Sequence, residues 1–140
     1  MSRSASGHRA VAHTADARVQ AWAPTRERCI AEAVLGTVET FLDTSGARAT
    51  GRYRCQLAAS TDEDLLVAVL DEVIYLLDTA SAVPVDVEID LLDGGVDVDF
   101  ATVDAAAHRQ TGSIPKGVSL HELSLAPGPR GWSCLVTLDV

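Results

Sequence analysis

The sequence predicts an α+β fold, a two-layer sandwich in which two helices pack against a mainly antiparallel sheet. Apolar residues recur at helical spacing in two segments, and they alternate with polar residues in several others. A chain of 140 residues, of which 47% are hydrophobic, is long enough to bury one core. We therefore expect a single domain over residues 11–140, preceded by a polar, disordered lead-in over residues 1–10.

The first half of the chain contains two predicted strands and one helix. Arg18–Trp22 alternates as a short strand, and Thr25 is a suitable N-cap for the helix that follows. Apolar residues at every third or fourth position carry this helix to about Leu42. After Gly46, the segment Tyr53–Leu57 again alternates and predicts a half-buried strand.

The second helix is predicted to begin at a capping box. In Ser60-Thr61-Asp62-Glu63, the Ser60 hydroxyl would accept from the backbone of Glu63, whose side chain would reach back to Ser60. The stripe of apolar residues from Leu65 to Leu77 is broad, which is typical of a central helix.

Two strand pairs complete the fold. Val85–Leu91 and Val96–Phe100 flank an Asp-Gly-Gly turn and predict a hairpin with one apolar and one acidic face. The acidic face is either fully solvated or matched by a cation or a basic partner. Val118–Leu125 and Trp132–Val140 form the second pair, and we expect the Pro- and Gly-rich segment 126–131 to be a loop.

Charge and composition exclude several functional classes. The chain has 11 Lys+Arg and 20 Asp+Glu, and thirteen of the acids lie in residues 62–104, which contain no Lys or Arg. This balance argues against direct nucleic-acid binding through phosphates and against docking on anionic membranes. No apolar run is long enough for a membrane span. Three widely spaced cysteines form neither a zinc pattern nor a disulfide framework, which favours a reduced, cytoplasmic protein.

The chain contains no phosphate-binding loop, dinucleotide fingerprint, metalloprotease motif or nucleophile elbow. Asp16 precedes the first strand, where an Asp is usually a turn former. Asp139 lies beside the α-carboxylate of Val140, and two adjacent negative groups repel unless a cation or hydrogen-bond donors compensate them. Oxygen ligands of this kind suit Ca²⁺ or Mg²⁺ rather than zinc, although a frayed end explains the pattern equally well.

The chain resembles the archease family over nearly its whole length from about Val11. The resemblance is carried, in order, by His13-Thr14-Ala15-Asp16, the helix segment Leu65–Asp78, Lys116–His121, and Leu138-Asp139-Val140. It implies an accessory protein, not an independent enzyme. Such a protein assists an RtcB-type RNA-splicing ligase by promoting guanylylation of the ligase and multiple turnover, in tRNA splicing or RNA repair.

The resemblance also implies a divalent-cation site. Its ligands would be Asp16, Asp139 and the main-chain oxygens of Val140, and the ion would be Ca²⁺, with Mg²⁺ or Mn²⁺ as alternatives. His13, Glu72, Lys116 and His121 are further candidate functional residues. Lys116 is either a solvated lysine or a contact to the ligase or its nucleotide, and His121 is interpreted as a structural histidine.

Two other functions remain open from the residues. One is a stand-alone metal-dependent phosphoester hydrolase that uses the same carboxylates with His13 as general base. The other is a chaperone-like module that binds basic partners through its acidic segment. The partner expected from the resemblance is the ligase, with neither a membrane nor a nucleic acid bound directly.

Overall fold

A computed structural model describes residues 5–11 and 16–140. Two helices and nine strands lie in these ranges, together with one short 3₁₀ turn at Ala105–Ala107. In chain order they are β1 (Gly7–Val11), β2 (Ala17–Ala23), α1 (Arg26–Glu39), β3 (Leu42–Asp43), β4 (Gly51–Leu57), α2 (Asp62–Ala80), β5 (Ala82–Leu92), β6 (Gly95–Asp104), β7 (Arg109–Gln110), β8 (Gly117–Gly128) and β9 (Gly131–Asp139).

The described strands pair only antiparallel, which confirms the α+β class. They form a four-stranded sheet in the order β1-β2-β9-β8, a three-stranded sheet in the order β4-β6-β5, and the two-stranded pair β3-β7. Helix α1 lies against β2 of the first sheet and β5 of the second, and α2 lies against β8 and β5. The core therefore lies between the helices and the inner faces of two sheets rather than one.

The expectation of a disordered lead-in is wrong for residues 7–10, which belong to strand β1. This strand pairs with β2 from Gly7, opposite Trp22, to Val11, opposite Arg18. The polar residues of this strand show no alternating apolar pattern, because an edge strand buries little side-chain surface. The strand could therefore not be predicted from the sequence. His8 holds it against α1, where Gly36 leaves room for the imidazole: a Cβ at Gly36 would lie 3.1 Å from two atoms of His8.

Both helices begin with a threonine cap. Thr25 accepts from the backbone N–H of Arg28 at 3.2 Å, as predicted, but α1 ends at Glu39 and Leu42 already belongs to β3. At α2 the predicted capping box is wrong by one residue. The N-cap is Thr61, not Ser60, and its hydroxyl accepts from the backbone of Asp64 at 3.1 Å.

The predicted hairpin is β5–β6, and its register places acids opposite acids: Glu88 faces Asp99, and Asp90 faces Asp97. Like charges in such positions destabilise a sheet. Here arginines on β4 compensate part of this negative charge. The acidic face is thus matched in part by basic residues of the same chain. Arg52 Nε lies 3.0 Å from Oδ1 of Asp99, and Arg54 Nη2 lies 2.6 Å from Oδ2 of Asp97.

Strands β8 and β9 pair along more of the chain than predicted. Their ladder extends to Gly128 opposite Gly131, so the expected loop over 126–131 shrinks to a turn at Pro129 and Arg130. Within β8 the register shifts between Ser119 and Ser124. Four residues, 120–123, lie there opposite a single residue of β9.

Neither helix in the described ranges combines the length and apolar character that crossing a membrane requires.

Candidate functional site at the ends of β2 and β9

The strand register brings the two predicted metal-ligating aspartates together. Ala17 pairs with Leu138 at the ends of β2 and β9. Asp16 directly precedes β2 and Asp139 is the last residue of β9, so both aspartates lie at the same end of the sheet. Leu138 is fully buried, and its neighbour Asp139 is exposed. Because side chains alternate along a strand, burial of Leu138 in the core directs Asp139 to the outer face.

The start of β8 lies beside the same strand end. Gly117 pairs with Asp139, and the backbone N–H of Lys116 donates to the carbonyl of Asp139 at 2.7 Å. A Cβ at Gly117 would lie 3.9 Å from Oδ2 of Asp139, so the carboxylate of Asp139 lies over this glycine. Lys116 is exposed, and Val140 follows Asp139 directly. Four sequence-predicted candidates, Asp16, Lys116, Asp139 and Val140, therefore belong to three adjacent strand ends.

An arginine lies next to Asp139 on the outer face. Arg18 pairs in register with Thr137, and Thr137 pairs with Ser119 on β8. The Nη2 of Arg18 donates to Oε2 of Glu122, so the ion pair spans β9 from β2 to β8. Sequence reasoning missed both residues, since they lie 104 positions apart and only the strand order brings them together.

The donor chemistry of this strand end fits a hard divalent cation. Two carboxylates and the main-chain oxygens of Val140 are oxygen ligands, which Ca²⁺ and Mg²⁺ prefer. Within residues 5–11 and 16–140, no three His, Cys, Asp or Glu side chains are grouped closely enough to hold a metal by themselves. A site here would thus combine the two aspartates with main-chain oxygens. His13 lies outside the described residues.

Two other candidates lie apart from this strand end. Glu72 on α2 faces β4, where it accepts a 3.2 Å hydrogen bond from the hydroxyl of Tyr53. The negative charge of Glu72, followed by burial, raises the pKa of Tyr53. The interpretation of His121 as a structural histidine is wrong. Its side chain is 82% exposed in the irregular part of β8, with Nε2 3.7 Å from Oε1 of Glu122.

Comparison with known proteins identifies the family of the chain. Residues 8–140 match the model of the archease protein family (MTH1598/TM1083). The chain belongs to the archease family. The match covers every described strand and helix except the first residue of β1, so both ends of the candidate site lie inside it.

Relatives and solved structures extend the comparison. The chain is 59% identical over 135 residues to a probable archease of Mycobacterium tuberculosis, across 96% of this chain and 75% of that protein. It is 24% identical over 135 residues to the archease of Archaeoglobus fulgidus, across 95% and 98% of the two chains.

Two experimental structures share the fold. The solution structure of Methanobacterium thermoautotrophicum protein 1598 has a TM-score of 0.75 at 24% identity, across 96% of this chain and 99% of that one. A crystal structure of an archease from Thermotoga maritima, described as a possible chaperone, has a TM-score of 0.66 at 19% identity, across 93% and 94%. At these identities the two structures establish the archease fold alone.

Proposed function

We propose that this archease is an accessory protein of an RtcB-type RNA ligase, and that it promotes guanylylation of the ligase and multiple turnover in tRNA splicing or RNA repair. Membership of the archease family supports the proposal. The observation that supports its mechanism is the register of β2 and β9, which brings Asp16 and Asp139 to the same end of the sheet although they are far apart in sequence.

The proposed cation site uses Asp16, Asp139 and the main-chain oxygens of Val140. A bound Ca²⁺, Mg²⁺ or Mn²⁺ would supply positive charge between carboxylates that otherwise repel one another. The residues of the chain do the positioning: β9 presents Asp139 from its end, β2 presents Asp16 from its start, and the backbone of Lys116 fixes the carbonyl of Asp139. Lys116 is exposed beside this end and is proposed to contact the ligase or its nucleotide.

The ligase role is tested by measuring formation of the covalent ligase–GMP adduct. The ligase from the same source is incubated with GTP and a divalent metal, with and without this protein. We expect the protein to increase adduct formation and the number of ligation turnovers. Failure to stimulate either quantity would overturn the proposed function.

The cation site is tested with a matched pair of variants. Asp139→Asn removes a proposed ligand, and Asp90→Asn makes the same change in charge on β5 of the other sheet. We expect calorimetric titration with Ca²⁺ or Mn²⁺ to show binding by the Asp90→Asn variant and loss of binding by Asp139→Asn. A cation at 100 times its dissociation constant should stabilise the fold by about 2.7 kcal/mol. Equal affinities for the two variants would place the cation elsewhere.

A chaperone-like binding module is the second candidate, favoured by the outer face of β5. Glu88 and Asp90 lie there without an arginine partner among the described ion pairs, and Leu91 beside them is 68% exposed. This function predicts binding to unrelated basic, partly unfolded proteins that weakens with added salt and occurs without ligase stimulation. Ligase stimulation without such binding would exclude it.

A further inference from the structure

An irregular segment of β8 carries Glu122 to its ion pair with Arg18. In a regular ladder continuing from Ser119 and Thr137, Glu122 would lie opposite Cys134, three positions beyond Thr137. Instead residues 120–123 all lie opposite Val136, and this bulge leaves Glu122 close to the level of Arg18. Glu122 also has a φ of 58°, a left-handed conformation that non-glycine residues rarely adopt. The backbone thus departs from a strand at the residue that binds Arg18.

Arg18 has an alternative partner within reach. Asp139 is the diagonal neighbour of Arg18 on β9, a position that long side chains reach across a sheet. The side chain of Arg18 is 19% exposed, and its buried Nε has no hydrogen-bond partner in the part of the chain that the structure describes. One edge of the guanidinium is therefore available to a carboxylate.

We propose that Glu122 is a positioning residue that holds Arg18 away from the Asp139 carboxylate and so keeps that carboxylate available to a divalent cation. This inference rests on the cation site of the proposed function, and it adds residues that neither the sequence motifs nor the family match singles out. Because an arginine binds carboxylates through paired N–H groups, a released Arg18 would occupy the same oxygens that the cation needs. Glu122 prevents this occupation because it accepts a hydrogen bond from Nη2 of Arg18 on the far side of β9.

A double-mutant cycle distinguishes this role from simple attraction of the cation by Glu122. The four proteins are the wild type, Glu122→Gln, Arg18→Gln and the double variant, and the probe is Ca²⁺ or Mn²⁺ in calorimetric titration. We expect Glu122→Gln to weaken cation binding about tenfold, a coupling of about 1.4 kcal/mol. Arg18→Gln should bind the cation at least as tightly as the wild type, and the double variant should match Arg18→Gln. Glu122→Gln is thus harmful only while Arg18 is present.

The opposite results are equally clear. If Glu122 acts only through its charge, Glu122→Gln will weaken binding by the same factor with and without Arg18, and the proposal fails. An unchanged affinity in the Glu122→Gln variant also overturns it. Circular dichroism and urea unfolding of each variant verify that it is folded.

A measurement without metal separates this inference from the cation site itself. In the metal-free Glu122→Gln variant, nuclear Overhauser contacts between the guanidinium protons of Arg18 and the β protons of Asp139 should appear or strengthen relative to the wild type. If the wild type binds no cation, the cation site falls and this measurement decides the role of Glu122 alone. Absence of the contacts in that case overturns the inference.

Discussion

His8 and Glu32 are joined by a 2.8 Å hydrogen bond between Nδ1 and Oε1, and Nε2 of the same ring faces Oε2 of Glu39. Ionised carboxylates only accept hydrogen bonds, so the protonated, cationic imidazole is the form that can donate to both of them. Burial lowers the pKa of His8, but hydrogen bonds to Glu32 and Glu39 outweigh it and raise the pKa above 6.5. This pair of contacts ties the edge strand β1 to α1.

The His8 contacts predict a loss of stability as the pH rises above 6.5. The folded-state pKa is raised, so the stabilisation is complete below the unfolded-state value of 6.5 and is lost as the pH rises through the folded-state pKa. His8→Gln should remove this part of the pH dependence and cost roughly 1 kcal/mol at pH 6. Urea unfolding of both proteins between pH 6 and pH 9 measures the effect. Parallel pH profiles would contradict it.

The N-cap of α2 predicts different consequences for two neighbouring hydroxyl residues. Thr61 accepts from the backbone of Asp64, whereas Ser60 makes no such contact among the described hydrogen bonds. Thr61→Ala should therefore lower the free energy of unfolding by about 1 kcal/mol. Ser60→Ala is the matched control and should leave it nearly unchanged. A larger loss of unfolding free energy in Ser60→Ala than in Thr61→Ala would instead support Ser60 as the N-cap, as the sequence suggests.

The arginines of β4 predict a salt-dependent contribution to the three-stranded sheet. Arg54 neutralises Asp97, which faces Asp90 on the other side. Arg54→Gln should lower the urea midpoint at low ionic strength, and the loss should shrink in 1 M NaCl, where charges are screened within about 3 Å. Adding Asp90→Asn to that variant should recover part of the loss. No recovery would mean that the facing acids do not repel appreciably.

Cys55 on β4 lies near Glu72, and its thiol is predicted to react slowly. Burial, followed by the negative charges of Glu72 and Asp97, raises the pKa of Cys55 to about 11. We expect alkylation of this thiol by iodoacetamide at pH 8 to be slower than that of a free cysteine, because little thiolate is present. Glu72→Gln should lower the pKa and increase the rate, as followed by mass spectrometry of the Cys55 peptide. An unchanged rate would show that the charge of Glu72 does not control the reactivity of this thiol.

Hydrophobic spacing was sufficient to predict both long helices and the acidic hairpin, because burial of one face imposes a period that can be read locally. It failed where stability comes from partners far away in the chain. Strand β1 depends on β2 and on the carboxylates beside His8, so its own polar residues carry no signal. The cap of α2 was misplaced by one residue because Ser60 and Thr61 both offer a hydroxyl.

The sequence by itself determined the α+β class, the acidic surface and the family to which the chain belongs. It also supplied Asp16 and Asp139 as candidate ligands through a family resemblance. Only the tertiary structure decided that these two aspartates lie at the same end of one sheet, that Arg52 and Arg54 compensate acids on β6, and that Glu122 reaches Arg18. The reason is that periodicity specifies which face of an element is buried, whereas strand order and register specify which distant residues meet.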